Sequence, residues 1–190
     1  LPDLNVVTVG PSGQDVEAGE RVYYSFSVTN KGNAVDSFDL EVVNDTWYND
    51  GWEASLDTEE ISNLDVDESI NLTNVLVIKA PANAAADDEA TIKVKVISQA
   101  NTSVYKTFTS RSTVEQDFEP KIRIGGSDTQ SAKPDDEVVY TLNLTNEGNG
   151  DDDITLSLRG GNATWGTLGE SSFTLAAGAT ESVELRVSAP

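Results

Sequence analysis

Apolar residues recur at every second position along most of this chain. Val22, Tyr24, Phe26 and Val28 alternate with Tyr23, Ser25, Ser27 and Thr29. A period of two with one apolar face predicts a half-buried strand. Phe38, Leu40 and Val42 repeat the pattern, as do Ile92, Val94 and Val96 against Thr91, Lys93 and Lys95. Val75-Leu76-Val77-Ile78 breaks it, which predicts a bulge or a strand buried on both faces. Gly10-Pro11-Ser12-Gly13, Thr29–Asn33, Asp65–Glu68 and Gln99–Thr102 read as turns. At Thr29–Asn33 the expected reason is that Asn and Gly tolerate positive φ. Gln14–Glu20 and Ala84–Glu89 read as acidic loops, and no stretch sustains a helical period. About seven short strands between frequent turns predict a β-sandwich.

The pattern occurs twice. A shift of 116 positions sets Tyr24 on Tyr140, Asn30 on Asn146, Gly32 on Gly148, Asp36 on Asp152 and Phe38 on Ile154 without a gap. The chain therefore reads as two tandem all-β units, 1–116 and 117–190, joined by a short linker at Gln116–Pro120 that leaves limited freedom. Trp165 takes the sequence position of Trp52, and Trp47, Tyr48 and Trp52 are expected to plug a core. Glu181–Leu185 matches Glu68–Leu72, and Ala189-Pro190 matches Ala80-Pro81. The first unit continues with two further strands that have no counterpart in the second. Such a sandwich has an unpaired edge and an uncovered core face. Three completions stay open: later residues, a strand from a neighbouring copy, or a reduced packing of the second unit.

Pro2-Asp3-Leu4, the run Glu20-Arg21-Val22-Tyr23-Tyr24-Ser25-Phe26-Ser27-Val28-Thr29-Asn30-Lys31-Gly32-Asn33 and Ala80-Pro81-Ala82-Asn83-Ala84-Ala85 resemble cell-adhesion-related Ig-like domains of the CARDB type. They resemble equally the Ig-like module appended to secreted glycosidases. The resemblance implies tandem Ig-like domains of an archaeal or bacterial surface protein, S-layer-like or filament-like. It brings no shared catalytic residues.

Charge and chemistry narrow the function. The chain of 190 residues carries a net charge of -21. Residues 1–116 hold 20 acidic and 7 basic residues and residues 117–190 hold 13 and 5, so both units are acidic. That balance repels nucleic acid and anionic membrane surfaces. No apolar run approaches the length of a membrane span. Without His or Cys, disulfides, Ser-His-Asp triads and His- or Cys-ligated zinc are excluded within this chain. An enzyme is not expected, and neither is a cofactor. Five glycosylation sequons begin at Asn44, Asn71, Asn101, Asn143 and Asn162, roughly twice the number chance gives at this composition. Asn149–Asp153 and Ala86–Glu89 could offer oxygens to calcium but lack the spacing of a dedicated loop, so a metal site stays undetermined. Tyr23, Tyr48 and Trp47 are candidates for stacking on sugars if exposed. The expected role is a non-enzymatic, extracellular, glycosylated structural module of a cell-surface filament, layer or adhesin, with copies of itself or other surface proteins as partners. The alternative is a spacer or carbohydrate-binding module of a secreted hydrolase.

Overall fold

The computed structural model describes residues 1–43 and 51–188. They are all-β apart from one 3-10 turn, and the chain divides into two compact units, Leu1–Glu115 and Gln116–Pro190. Asn44, Trp47 and Tyr48 lie outside the described residues, as does the Ala189-Pro190 match. In the first unit the strands are β1 (Leu4–Val9), β2 (Gly13–Val16), β3 (Arg21–Asn30), β4 (Asp36–Val43), β5 (Glu53–Leu56), β6 (Glu60–Leu64), β7 (Ser69–Lys79), β8 (Glu89–Ser98) and β9 (Tyr105–Val114). They form a four-stranded sheet in the order β1-β3-β7-β5 and a five-stranded sheet in the order β2-β9-β8-β4-β6. Inward residues of both sheets share one core.

Alternation accounts for that core. Val22, Tyr24, Phe26 and Val28 of β3 are buried, and so are Ile92, Val94 and Val96 of β8. Phe26 stacks on Phe108 of β9 with ring centroids 4.8 Å apart. Trp52 is buried, as expected of a core plug. The break at Val75–Ile78 is a bulge: Tyr24 pairs with Leu76 but Phe26 with Leu72, so three residues of β7 face Ser25 alone. Asn74 takes a positive φ of 53° there, and its N–H donates to Ser25 Oγ at 2.8 Å. One expectation needs correcting, because the acidic loop begins with a strand. β2 lies parallel to β9, pairing Gly13–Val16 with Arg111–Val114.

The repeated turn works differently from the sequence expectation. None of Asn30, Gly32 and Asn33 has positive φ. Asn30 is instead fully buried, and its Nδ2 donates to the carbonyls of Ala34 and Leu64 at 2.9 and 2.8 Å. Its Oδ1 accepts from Gly32 N at 2.9 Å. Asn146 repeats the set with Gly150 O, Leu175 O and Gly148 N at 2.8, 2.9 and 2.9 Å. Glycine is required for space: a Cβ at Gly148 would collide with the Asp117 carbonyl, and one at Gly32 would crowd Asn30 Oδ1. The side chain of one buried Asn thus ties the signature strand to the facing sheet in both units.

In the second unit the strands are β10 (Pro120–Ile124), β11 (Glu137–Asn146), β12 (Asp152–Thr155), β13 (Gly166–Leu168), β14 (Ser172–Leu175) and β15 (Thr180–Ser188). One sheet runs β10-β11-β15-β13, the counterpart of β1-β3-β7-β5, and the other holds only β12-β14, the counterpart of β4-β6. The supposed linker belongs to this unit. Gln116 Nε2 donates to Asp151 O, Asp117 N donates to Asn149 Oδ1, and Pro120 opens β10 opposite Asn146. Pro is tolerated there because β10 is an edge strand.

Candidate interaction surface

β2, β8 and β9 have no counterpart among the described residues of the second unit. The segment matching β2 is kept, and Gln130 Nε2 donates to Val139 O just as Gln14 Nε2 donates to Tyr23 O. Without a β9 beside it, that segment has no strand to join. The loss also shortens the next strand. In the first unit Leu40–Val43 pair with β8 alone, whereas β6 reaches only Asp36–Asp39. Leu156 and Leu158, which match Leu40 and Val42, continue the alternation past β12 without being a strand. Leu156 N still donates to Ser171 O at 2.8 Å, as Leu40 N does to Glu59 O. The other edge of β12 is unpaired among the described residues.

Behind that edge the core is open. Leu142 and Leu144 are buried, but Val138 and Tyr140, matching the buried Val22 and Tyr24, are half-buried. Ile122, inward opposite Leu144, is 50% exposed, whereas its match Val6 packs against the first core. Leu158, Leu185 and Val187 line a cleft of about 260 Å³ together with Arg159, Asn162, Ala163 and Gly166. Two polar groups share the exposure. Tyr24 donates its hydroxyl to Arg111 O at 2.5 Å and meets Ser112 Oγ at 3.0 Å, both on β9. Asp36 accepts from Ser98 Oγ at 2.5 Å and from Ala100 N at 3.2 Å, at the end of β8. Tyr140 and Asp152 sit at the matching places with no such partners among the described residues.

This difference makes a measurable prediction. Burial, before any hydrogen bond, pushes the Tyr24 hydroxyl above the ordinary tyrosine value. A raised value in the folded state means stability that is intact below about pH 10 and lost as pH rises beyond it. Tyr24→Phe is expected to cost the first unit about 1.5 kcal/mol at neutral pH and to flatten its alkaline decline. Tyr140→Phe is expected to change the second unit by under about 0.5 kcal/mol. Denaturant unfolding at pH 7 and at alkaline pH, read for each unit, checks both.

Of the other candidate residues, Asn162 lines the cleft. Asn71 and Asn101 are exposed, as is Asn162 at the cleft. Asn143 is half-buried, its Oδ1 accepting from Ser182 Oγ at 2.9 Å. Among the described residues no three acidic side chains converge as a metal site. Asp88 Oδ2 accepts from Ala85 N at 2.8 Å, Glu89 pairs with Arg111, and Asp153 accepts from Thr174 Oγ1 at 2.6 Å. Tyr23 is exposed, and Tyr105, also exposed, lies under Lys95 Nζ at 4.4 Å from the ring centroid. Trp165 departs from its match. Trp52 is 3% exposed and Trp165 39%, because Trp165 ends the 3-10 turn Ala163–Trp165, whose residues are not buried. Among the described residues no helix is long and apolar enough to cross a membrane.

No protein-family model matches the chain, and no curated protein matches it. Solved structures resemble it loosely over nearly its whole length. A protein of unknown function from Porphyromonas gingivalis W83 is 12% identical, over 97% of this chain and 83% of that one, with a TM-score of 0.36. The YadV chaperone is 12% identical, over 96% and 85%, at 0.34. The secreted serine protease VesC from Vibrio cholerae is 10% identical, over 96% and 46%, at 0.35. Likenesses at such scores carry no argument about what this chain does.

Proposed function

We propose that this chain is a non-enzymatic structural module of an extracellular cell-surface assembly, a filament, layer or adhesin. In this reading it consists of two tandem Ig-like β-sandwiches of the CARDB type and carries N-linked glycans at exposed sequons. The observation that carries the proposal is the open face of the second unit, where an apolar cleft lies beside a strand edge that is unpaired among the described residues. An unpaired edge next to uncovered apolar side chains is suited to polypeptide, through main-chain pairing and pockets for alternate side chains. The acidic surface favours a role away from nucleic acid and anionic membranes. Exposed Asn71, Asn101 and Asn162 are reachable by a glycan.

The test uses the native protein purified from its source cells. Recovery in a high-molecular-weight surface assembly, with an intact mass above that of the bare polypeptide, is the expected result. A monodisperse soluble monomer with measurable affinity for sugars would contradict it and favour the carbohydrate-binding alternative.

A further inference from the structure

Main-chain groups also stay open along an edge of the first unit. β1 ends the sheet β1-β3-β7-β5 on one side. Lys31 N donates to Asp3 O, so the odd residues of this stretch turn their backbone groups toward β3. Leu4, Val6 and Thr8 turn theirs away from it. The Leu4 N–H is capped locally, donating to Asp3 Oδ1 at 2.9 Å. The amides and carbonyls of Val6 and Thr8 have no partner strand among the described residues. Proteins ordinarily blunt such an edge with charge or Pro. The other edges of this unit do so, since β2 carries Asp15, β5 Glu53 and β6 Glu60. So does β10, the matching edge of the second unit, with Pro120, Lys121 and Arg123. The chain precedes β10, so a free edge at this place belongs to the unit. β1, Leu4-Asn5-Val6-Val7-Thr8-Val9, has neither charge nor Pro, and it is the longest edge strand of its unit.

We infer that β1 pairs antiparallel with the β1 of a second copy, about a two-fold axis at Val7. Val6 then exchanges both main-chain hydrogen bonds with the partner's Thr8, and Thr8 with the partner's Val6. On the outer side of the sheet Val7 faces the partner's Val7, and Val9 faces the partner's Asn5. Val7 and Val9 are 49% and 40% exposed in the single chain, and cross-strand pairs at this spacing cover each other. Charge selects the occupant. Two copies carrying -21 each repel wherever their acidic residues meet. None meet here, because β1 holds no charge and β3 presents Ser25, Ser27 and Thr29 beside it. A charged foreign strand, acidic or basic, finds no opposite charge along this row. An uncharged strand of equal length fits, and β1 is itself such a strand with its edge free. The pair joins two four-stranded sheets into one, β5-β7-β3-β1 continuing into its own reverse. An isologous contact of this kind closes at two copies. It is separate from the open face of the second unit, and it rests on the reading that copies of this chain associate.

The test is sedimentation equilibrium of the full-length native protein and of variants in β1. The expected result is a monomer–dimer equilibrium that tightens about tenfold from about 50 mM to about 500 mM salt, because screening removes the repulsion between like-charged copies. Val7→Lys sets two ammonium groups face to face and should weaken the dimer by at least about tenfold. Thr8→Pro removes an N–H that β3 does not use and should weaken it alike. The second variant stands in if the first disturbs the fold. Register is read by a thiol, since the chain has no Cys. Val7→Cys should oxidise in air to a disulfide-linked dimer across the axis, whereas Val9→Cys, facing Asn5, should not. A monomer up to about 1 mM overturns the inference. So does a dimer that both substitutions leave intact, or one that Val9→Cys crosslinks as readily as Val7→Cys. Slow amide exchange at Val6 and Thr8 in a monomer would show another segment on the edge, and overturns it as well. Any of these leaves the surface role standing. Recovery as a soluble, sugar-binding monomer removes that role instead.

Discussion

Phe26→Ala is expected to destabilise the first unit by about 4 kcal/mol, in the range for truncating a fully buried aromatic. Phe26 is 0% exposed, in the middle of β3, and stacks on Phe108 across the core. Removing it leaves a cavity that two well-paired sheets cannot close. Single domains hold only about 5–15 kcal/mol in total, so the variant's unfolding midpoint should drop far enough to separate the two units in a denaturant titration. The matching Leu142→Ala is expected to cost the second unit about 2 kcal/mol, the low end for a buried leucine, because the open face lets neighbours and water relax around it. Equal losses at the two positions would mean that the second core is as tightly covered as the first.

The second large effect concerns the buried asparagines. Asn146→Ala removes two donors and one acceptor at once, leaving Leu175 O, Gly150 O and Gly148 N without their partner. Leaving buried polar groups unsatisfied costs about 1–3 kcal/mol each where water cannot reach them. The expected loss is about 3 kcal/mol, which unfolds or loosens the second unit at 25 °C. Asn146→Asp keeps the acceptor but loses the donors, and should recover little. Asn30→Ala should behave alike in the first unit. Circular dichroism melts of the three variants decide it. Wild-type melting for both alanine variants would show that the shared side-chain lock is incidental.

Alternation exposed most of the strands because each long strand has one face on a core and one in water, as β3 and β8 do. It could not expose β2, whose Gly13-Gln14-Asp15-Val16 has no apolar period. That strand exists because β9 presents an edge beside it, which is a tertiary fact. Conversely, at Leu156 and Leu158 the period continues but the strand does not, since no second strand pairs there among the described residues. Alternation marks which face would be buried, and pairing decides whether a strand forms. The turn expected at Thr29–Asn33 starts two residues later, since Thr29 and Asn30 end β3, and it forms for a different reason. Composition suggested positive φ, whereas the buried Asn30 and Asn146 side chains and the space needed at Gly148 are visible only in three dimensions. Trp165 shows the limit of reading burial from a repeat, since a matching sequence position does not ensure a matching neighbour. The candidate face was legible only as a gap in the alignment of the two repeats. The half-buried Tyr140 and Asp152, which lack the side-chain partners of Tyr24 and Asp36 among the described residues, had no sequence signal beyond those matches.

Among the described residues, the second unit is the first unit's arrangement without its β8–β9 cover. Because Leu40 N–H turns toward Glu59, the alternation of β4 turns the amides of Asp39 and Glu41 toward β8. The same geometry turns those of Thr155 and Ser157 toward the open edge. Residue-resolved hydrogen exchange on the isolated 190-residue chain compares the two pairs directly. The predicted result is slow exchange at Asp39 and Glu41 and near-unprotected exchange at Thr155 and Ser157. Equal protection of all four amides would contradict that arrangement.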